Sequence, residues 1–319
     1  MIRTLLALIL LATASAPASA QSYPNRPIKL IVPFPPGGPI DVMARLLAQK
    51  LSASLGAMIV ENRPGGGSTV GLKAVATAEP DGYTFLFGGT MTLSVIPVVT
   101  TSPEADLIRR MTPVALFSST PFVLIVAPRV PANTLPEFVS YVKANPGKLN
   151  FGASIGTPPH ISGEMFKVLT GTDIVFVPYK TAAAAASDAL SGQIQLTFQG
   201  TTGIMPFIHT GKLRAIGVVS PQRIPELSDV PTMEEQGIKG MPPDAWQGIV
   251  APAGTPTDII TKLNRVINEG LTTPQVRDGI IKLGGNPKLT SPAEFASFMA
   301  TMKEEWAKVL KATGVTTIN

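Results

Sequence analysis

Residues 29–55 constrain this chain more than any other stretch. Ile28, Leu30, Ile31 and Val32 form an apolar run suited to a buried strand, the Pro/Gly segment 33–39 breaks it, and Ala44, Leu47, Leu51 and Leu55 recur at helical spacing. Strand, tight loop and helix follow in that order. The loop is the chemical part, because Gly37 and Gly38 let backbone approach a ligand closely and Pro39 suits a first helical position, where no N–H is needed. The first N–H groups of the helix have no partner within it and sit at the positive end of its dipole, an arrangement that suits an anion. An ordinary βα turn with Asp41 as a first-turn capping acid accounts for the same residues without any ligand.

The rhythm repeats. Met58-Ile-Val-Glu-Asn62 reads as a short strand, Arg63-Pro-Gly-Gly-Gly-Ser68 as a loop with Ser68 as N-cap, and a helix runs to about Ala78. After the Asp81-Gly82 turn, Tyr83 to Phe87 reads as a third strand. Such alternation implies a parallel sheet with right-handed crossovers, whose ligands lie beyond the carboxyl ends of the strands. Those ends are residues 34–39, 63–67 and 88–92, Thr90 among them. The glycines satisfy neither the phosphate-loop pattern nor GxGxxG, since Leu72 separates Gly71 from Lys73 and no Ser or Thr follows the lysine.

Two extended runs follow at 113–118 and 121–127, then a helix opened by Thr134 and a second alternation. Its strands are 149–152, 174–178, 195–199 and 213–219; its helices are 159–170 and 182–190. A last strand, 246–252, and helices opened by Thr257, Thr273 and Ser291-Pro292 complete the chain. The final helix carries Phe295, Phe298, Met302, Trp306 and Val309 on one stripe, a packing face. A chain of 319 residues holds two cores of ordinary size. The expected division is lobe I at 21–121 and 222–319 and lobe II at 122–221.

The first twenty residues have the layout of a secretory signal peptide: Arg3, an apolar stretch from Leu5 to Ala12, and Ala18-Ser19-Ala20 before Gln21. Cleavage is expected after Ala20, giving an exported, soluble protein. With no cysteine there is no disulfide, thiol nucleophile or lipoprotein anchor. The formal charge is +5, one unit of it from Arg3, and the basic residues are scattered singly, which disfavours nucleic acid and leaves a mild field that attracts anions.

Gly152-Ala-Ser154-Ile-Gly156 matches the nucleophile-elbow pattern, and Asp173 or Asp188 followed by His209 keeps the hydrolase order. Against a hydrolase, Gly156-Thr157-Pro158-Pro159 delays the helix that an elbow starts at its serine, and there is no HGGG-like segment. The two histidines, His160 and His209, lie far apart with no accompanying ligand cluster, so no metal and no cofactor are expected. What remains is a second strand–loop–helix: Ser154-Ile-Gly-Thr-Pro-Pro-His160. Should the lobes face each other, two helix N-termini converge, and main-chain N–H groups match a carboxylate without an arginine. A third loop, Val177-Pro-Tyr-Lys-Thr-Ala182, opens another helix, so Tyr179, Lys180 and Thr181 are candidates for the other end of a solute; a core tyrosine and a solvated lysine account for them equally.

In these residues the sequence resembles the periplasmic solute-binding proteins of tripartite tricarboxylate transporters, the Bug family. The resemblance rests on Tyr23-Pro-x-Arg-Pro-Ile, Val32-Pro-Phe-x-x-Gly-Gly-x-x-Asp41, Glu61-Asn-Arg-Pro-Gly65, Pro80-Asp-Gly-Tyr-Thr84, Gly156-Thr-Pro-Pro-His160, Val177-Pro-Tyr-Lys180, Asp229-Val-Pro-Thr232, and Trp246 through Ala251-Pro-Ala-Gly-Thr-Pro256. It covers essentially the whole chain after the leader. It implies an α/β, two-lobed class II periplasmic-binding-protein fold: two mixed, mainly parallel sheets flanked by helices and joined by crossover hinge strands. It implies a carboxylate pincer, with Phe34, Gly37, Gly38, Pro39 and Ile40 in one jaw and Ser154, Gly156, Thr157 and His160 in the other. Asp41, Thr90, Tyr179, Lys180, Thr181 and Gln199 complete the expected contacts. The partners implied are a small organic carboxylate and the membrane permease subunits, with the chain a periplasmic monomer; a periplasmic sensor subunit is the alternative. The family's Tyr-Lys-Gly is here Tyr179-Lys180-Thr181 followed by five alanines, a departure that favours a dicarboxylate or aromatic acid over citrate.

Overall fold

The computed structural model describes residues 23–99, 104–201 and 204–315; the expected leader and its cleavage site lie outside the described residues. Strand β1 (Ile28–Val32) is buried on both faces: Ile28, Leu30 and Val32 point into one core and Ile31 into another. That is why it reads as a continuous apolar run instead of an alternating one. Helix α1 (Pro39–Leu55) lays Met43, Ala44, Leu47, Leu51 and Leu55 on the first of those faces. Strand β2 (Met58–Asn62), helix α2 (Thr69–Ala76) and strand β3 (Thr84–Gly89) follow, with β2 and β3 pairing parallel to β1 on either side.

After β3 the chain winds into a wide helical turn, Thr90–Val95, continued as α3 (Ile96–Val99), with α4 (Glu104–Arg109) beyond it. The sequence gives little warning of this turn, since Thr, Ser and Val are poor helix formers. Burial of Leu93, Val95 and Ile96 overrides that propensity.

Strands β4 (Met111–Thr120) and β5 (Phe122–Val126) are separated by Pro121 alone, yet belong to different sheets. The second sheet is built from α5 (Leu135–Ala144), β6 (Asn150–Ala153), α6 (Pro158–Thr170), β7 (Val175–Pro178), α7 (Ala182–Ser191), β8 (Leu196–Gly200), α8 (Met205–His209) and β9 (Arg214–Val219). The chain then returns through β10 (Ala245–Pro252), α9 (Thr257–Thr272), α10 (Pro274–Lys282), the short β11 (Asn286–Pro287) and α11 (Pro292–Thr313). The strand orders are β11-β4-β10-β3-β1-β2 and β7-β6-β8-β5-β9.

Both sheets are mixed. Parallel pairing holds where the βα loops are, between β1 and its neighbours and between β6 and its neighbours. The antiparallel share is larger than the alternation suggests, because β10 runs against β3 and β4, and β5 against β8 and β9. These are the strands on which the chain changes sheets. Thr120 faces Ala245 and Phe122 faces Val219, so the outward and return crossings run side by side.

Helices cover both faces of each sheet, and α11 does more than its stripe implies. Its first half packs Phe295 and Phe298 edge-on against Trp246 of β10, at 5.6 and 5.5 Å between ring centres. Its second half leaves that sheet: Trp306, Val309 and Leu310 cluster with Ile161 and Met165 of α6 and with Val95. One helix therefore ties the first lobe to the second. Trp306 is fully buried and its Nε1–H has no acceptor among the described residues, so its contribution is packing. Trp306→Ala is expected to lose about 3–5 kcal/mol in urea unfolding, whereas Trp306→Phe loses a small fraction of that.

Candidate ligand-binding site

The two loops singled out in the sequence turn out to be the same piece of backbone made twice. In each, a glycine with positive φ (Gly37, +82°; Gly156, +72°) precedes the helix cap, a conformation that disfavours any other residue. The caps themselves nearly coincide: Gly38 has φ −76° and ψ 166°, Thr157 φ −77° and ψ 160°. A proline opens each helix. In each, the side chain four residues after the glycine turns back to accept the glycine N–H: Asp41 Oδ2 from Gly37 at 2.9 Å, His160 Nδ1 from Gly156 at 3.1 Å.

Around the first loop, Asp41 is the centre of a clamp. Its Oδ2 also accepts from Arg45 Nε at 2.9 Å, and its Oδ1 from Asn62 Nδ2 at 2.8 Å. Asn62 also donates to the Phe34 carbonyl at 3.1 Å and accepts from Arg45 at 2.9 Å. Burial of the carboxyl pushes its pKa up, but the hydrogen bonds from Arg45, Gly37 and Asn62 outweigh that and bring it down to about 2. Both oxygens of Asp41 are thus engaged by the protein. What the loop leaves open is main chain: the N–H groups of Gly38, Ile40 and Asp41 have no acceptor among the described residues. The Ile40 side chain packs on the first core.

The second loop is poorer in donors than its twin, because Pro158 and Pro159 carry no N–H and Thr157 N–H is bonded to Ser154 O at 3.2 Å. The N–H of His160 and the hydroxyl of Ser154 remain without partners among the described residues. The His160 ring packs on Phe176, 4.1 Å between centres, with Phe151 on the same side at 6.4 Å. Burial lowers its pKa, Glu164 raises it by less and Lys167 adds to the lowering, which favours the neutral ring whose Nδ1 accepts from Gly156. No histidine is bonded to Ser154, and α6 starts four residues beyond it. That is not the strand–serine–helix turn of a nucleophile elbow.

Several expected contacts also hold the fold. The Tyr179 hydroxyl donates to Asp188 at 2.6 Å on α7; burial and that carboxylate push its pKa up to about 12. Thr181 caps α7, accepting from Ala184 N at 3.2 Å, and Lys180 is exposed beside it. Gln199 is buried and donates to Ala182 O at 3.2 Å, fixing the start of the same helix. Thr90 is buried and accepts from Trp246 N at 2.8 Å, pinning the turn after β3 to β10. Ser68 does not cap α2: it sits at φ 88° with no bond to the helix amides. Arg45 and Asn62, the residues that build the first clamp, were not among the expected site residues; the Asp41–Arg45 spacing of four was the available signal.

Two contacts join the lobes. Met91 and Val95, in the turn after β3, pack on Ile161, next to His160 in α6, and on Met165 one turn further. On the other flank, Thr201 Oγ1 donates to Gly284 O at 2.9 Å, and Met43 of α1 lies against Gly285. The lobes therefore meet at the turn after β3 and again at Thr201.

Two α/β lobes joined by paired crossings and bridged by α11 define a two-lobed periplasmic-binding-protein fold. The family model for the tripartite tricarboxylate transporter family receptor matches residues 43–315, and the chain belongs to that family. Protein BugT of Bordetella pertussis is 36% identical over 315 residues, covering 96% of this chain and 95% of that one. The solved structure of Rpa4515 from R. palustris with adipate is 32% identical, with TM-score 0.82 over 92% of this chain and 98% of that one. MatC from Rhodopseudomonas palustris with bound malate is 30% identical, with TM-score 0.76 over 90% and 100%. The protein is a periplasmic solute-binding protein, not an enzyme.

The clamp predicts an acid-sensitive element. With its folded pKa below the ordinary carboxylate value, Asp41 stabilises the fold above about pH 4, and that contribution disappears as pH falls towards 2. Asp41→Asn is expected to cost about 2 kcal/mol at neutral pH, and the gap between wild type and variant should narrow on acidification in chemical denaturation.

Proposed function

We propose that this protein captures a small organic carboxylate between its lobes and delivers it to the membrane permease of a tripartite tricarboxylate transporter. The observation that carries this reading is the duplicated cap: two loops, one per lobe, each locked by its own glycine-to-side-chain bond, with free main-chain N–H groups left at Gly38, Ile40, Asp41 and His160. Such donors at helix N-termini match the two oxygens of a carboxylate and need no cationic side chain. The one cation at the neighbouring α7 start is Lys180, which with Thr181 and the exposed Ala182–Ala184 segment is offered for a second polar group. A linear dicarboxylate or an aromatic acid fits that distribution, and adipate and malate in the two solved relatives belong to the former class. Ligand bridging both lobes favours the closed arrangement by its differential affinity.

A thermal-shift screen of mono-, di- and tricarboxylates should give its largest shift with a dicarboxylate or aromatic acid. Gly38 has an ordinary φ and nothing nearer its missing Cβ than Pro35 O at 3.8 Å, so Gly38→Val is tolerated by the fold but intrudes on the free amides. The variant is expected to keep its melting temperature and lose the ligand-induced shift; a retained shift refutes the pincer. Loss of uptake of the labelled acid in a deletion strain identifies a carrier; unchanged uptake identifies a sensor instead.

A further inference from the structure

The loop after β2 carries a strained residue that neither the fold nor the paired caps account for. Gly65, Gly66, Gly67 and Ser68 have consecutive positive φ values of 118°, 54°, 61° and 88°. Ser68 is the one residue among the described ones, glycine apart, that adopts such a conformation. In the left-handed region a side chain is destabilising, and glycine is free of that penalty. The penalty has no local compensation, since Ser68 makes no cap bond to α2 and its hydroxyl has no partner among the described residues, although the residue is only 5% exposed. The first helix amides are already satisfied within the loop: Thr69 N donates to Gly66 O, and Val70 N to Gly65 O at 3.5 Å.

The position of this turn is informative. In the sheet, β1 lies between β2 and β3, yet the Gly66–Ser68 turn packs against the Thr90–Val95 turn that follows β3. It therefore reaches across the carboxyl end of β1, where the first jaw begins. Close packing of Gly71 against Pro33 holds it there: a Cβ at Gly71 would come within 2.7 Å of the Pro33 side chain. The turn is thus held at the carboxyl end of β1, the end from which the first loop sets out. Strained residues with an unused polar group at such a place mark function rather than stability.

We propose that Ser68 is a ligand-contacting residue, its hydroxyl donating a hydrogen bond to an oxygen of the bound organic acid. The inference rests on the carboxylate-binding reading above and adds to it a side-chain donor beside the main-chain ones. It also explains why the fourth position of a run of glycines is a serine.

Two variants separate the hydroxyl from the backbone. Ser68→Gly relieves the strain and removes the hydroxyl; Ser68→Ala removes the hydroxyl and keeps the strain. The probe is whichever acid of the screened panel shifts the wild type most, with affinity measured by calorimetry. Both variants are expected to bind it about tenfold more weakly, the loss of one hydrogen bond to a charged group, while Ser68→Gly melts at or above the wild-type temperature. Wild-type affinity in either variant overturns the assignment, and so does weak binding confined to Ser68→Gly, which would implicate loop stiffness alone. If no acid in the panel shifts the wild type, the carboxylate reading itself fails and this assignment falls with it; normal wild-type binding with unaffected variants overturns the Ser68 contact only.

Discussion

The structure depends on one short bond made twice: a glycine N–H, in a conformation that suits glycine, donating to the side chain four residues ahead. Gly37 gives it to Asp41 and Gly156 to His160. Each bond takes the amide that would otherwise flex with the loop and ties it to the first turn of the helix that follows. The amides left over then stand at fixed positions, with a helix dipole behind them. Fixing donors before the ligand arrives is what lets neutral backbone groups bind an anion, since their ordering has already been met by folding.

The two acceptors are chemically different, and the difference has consequences. Asp41 is charged and needs support, which it receives from Arg45 and Asn62; the same network fixes the Phe34 carbonyl and so the whole first loop. His160 is neutral and needs shielding, which Phe151 and Phe176 supply. The first jaw thereby keeps three open N–H groups and the second keeps one, with Ser154 beside it. In the proposed site the donors are therefore unequal, with most of them on the first lobe. Lobe-to-lobe packing through α11, α6 and the turn after β3 begins at Ile161, the residue after His160 of the second loop.

Much of this was legible in the residues. Gly and Pro between an apolar run and a 3.6-residue stripe gave both loops and both helices, and the alternation of strands and helices gave two α/β lobes. What stayed hidden was side-chain partnership over long separations. Asn62 reaches Asp41 across 21 positions, and nothing in its surroundings shows that it faces a loop two elements back. Tyr179 and Thr181 have the chemistry of ligand contacts, but local bonds to Asp188 and Ala184 engage them. The stripe on α11 was recognisable as a packing face, whereas its division between two lobes was not, because periodicity identifies a buried side without saying what buries it. Ser68 sits where the sequence suggests a helix cap; only its φ shows otherwise. The turn at Thr90–Val95 escaped because burial, not propensity, forms it.

The most direct test of the account is a crystal structure of the protein with adipate or malate bound. The account predicts one carboxylate within about 3.2 Å of the main-chain nitrogens of Gly38, Ile40 or Asp41 and of His160, directly or through one ordered water. A carboxylate lodged away from these nitrogens, or held by a basic side chain with the two helix starts well apart, contradicts it.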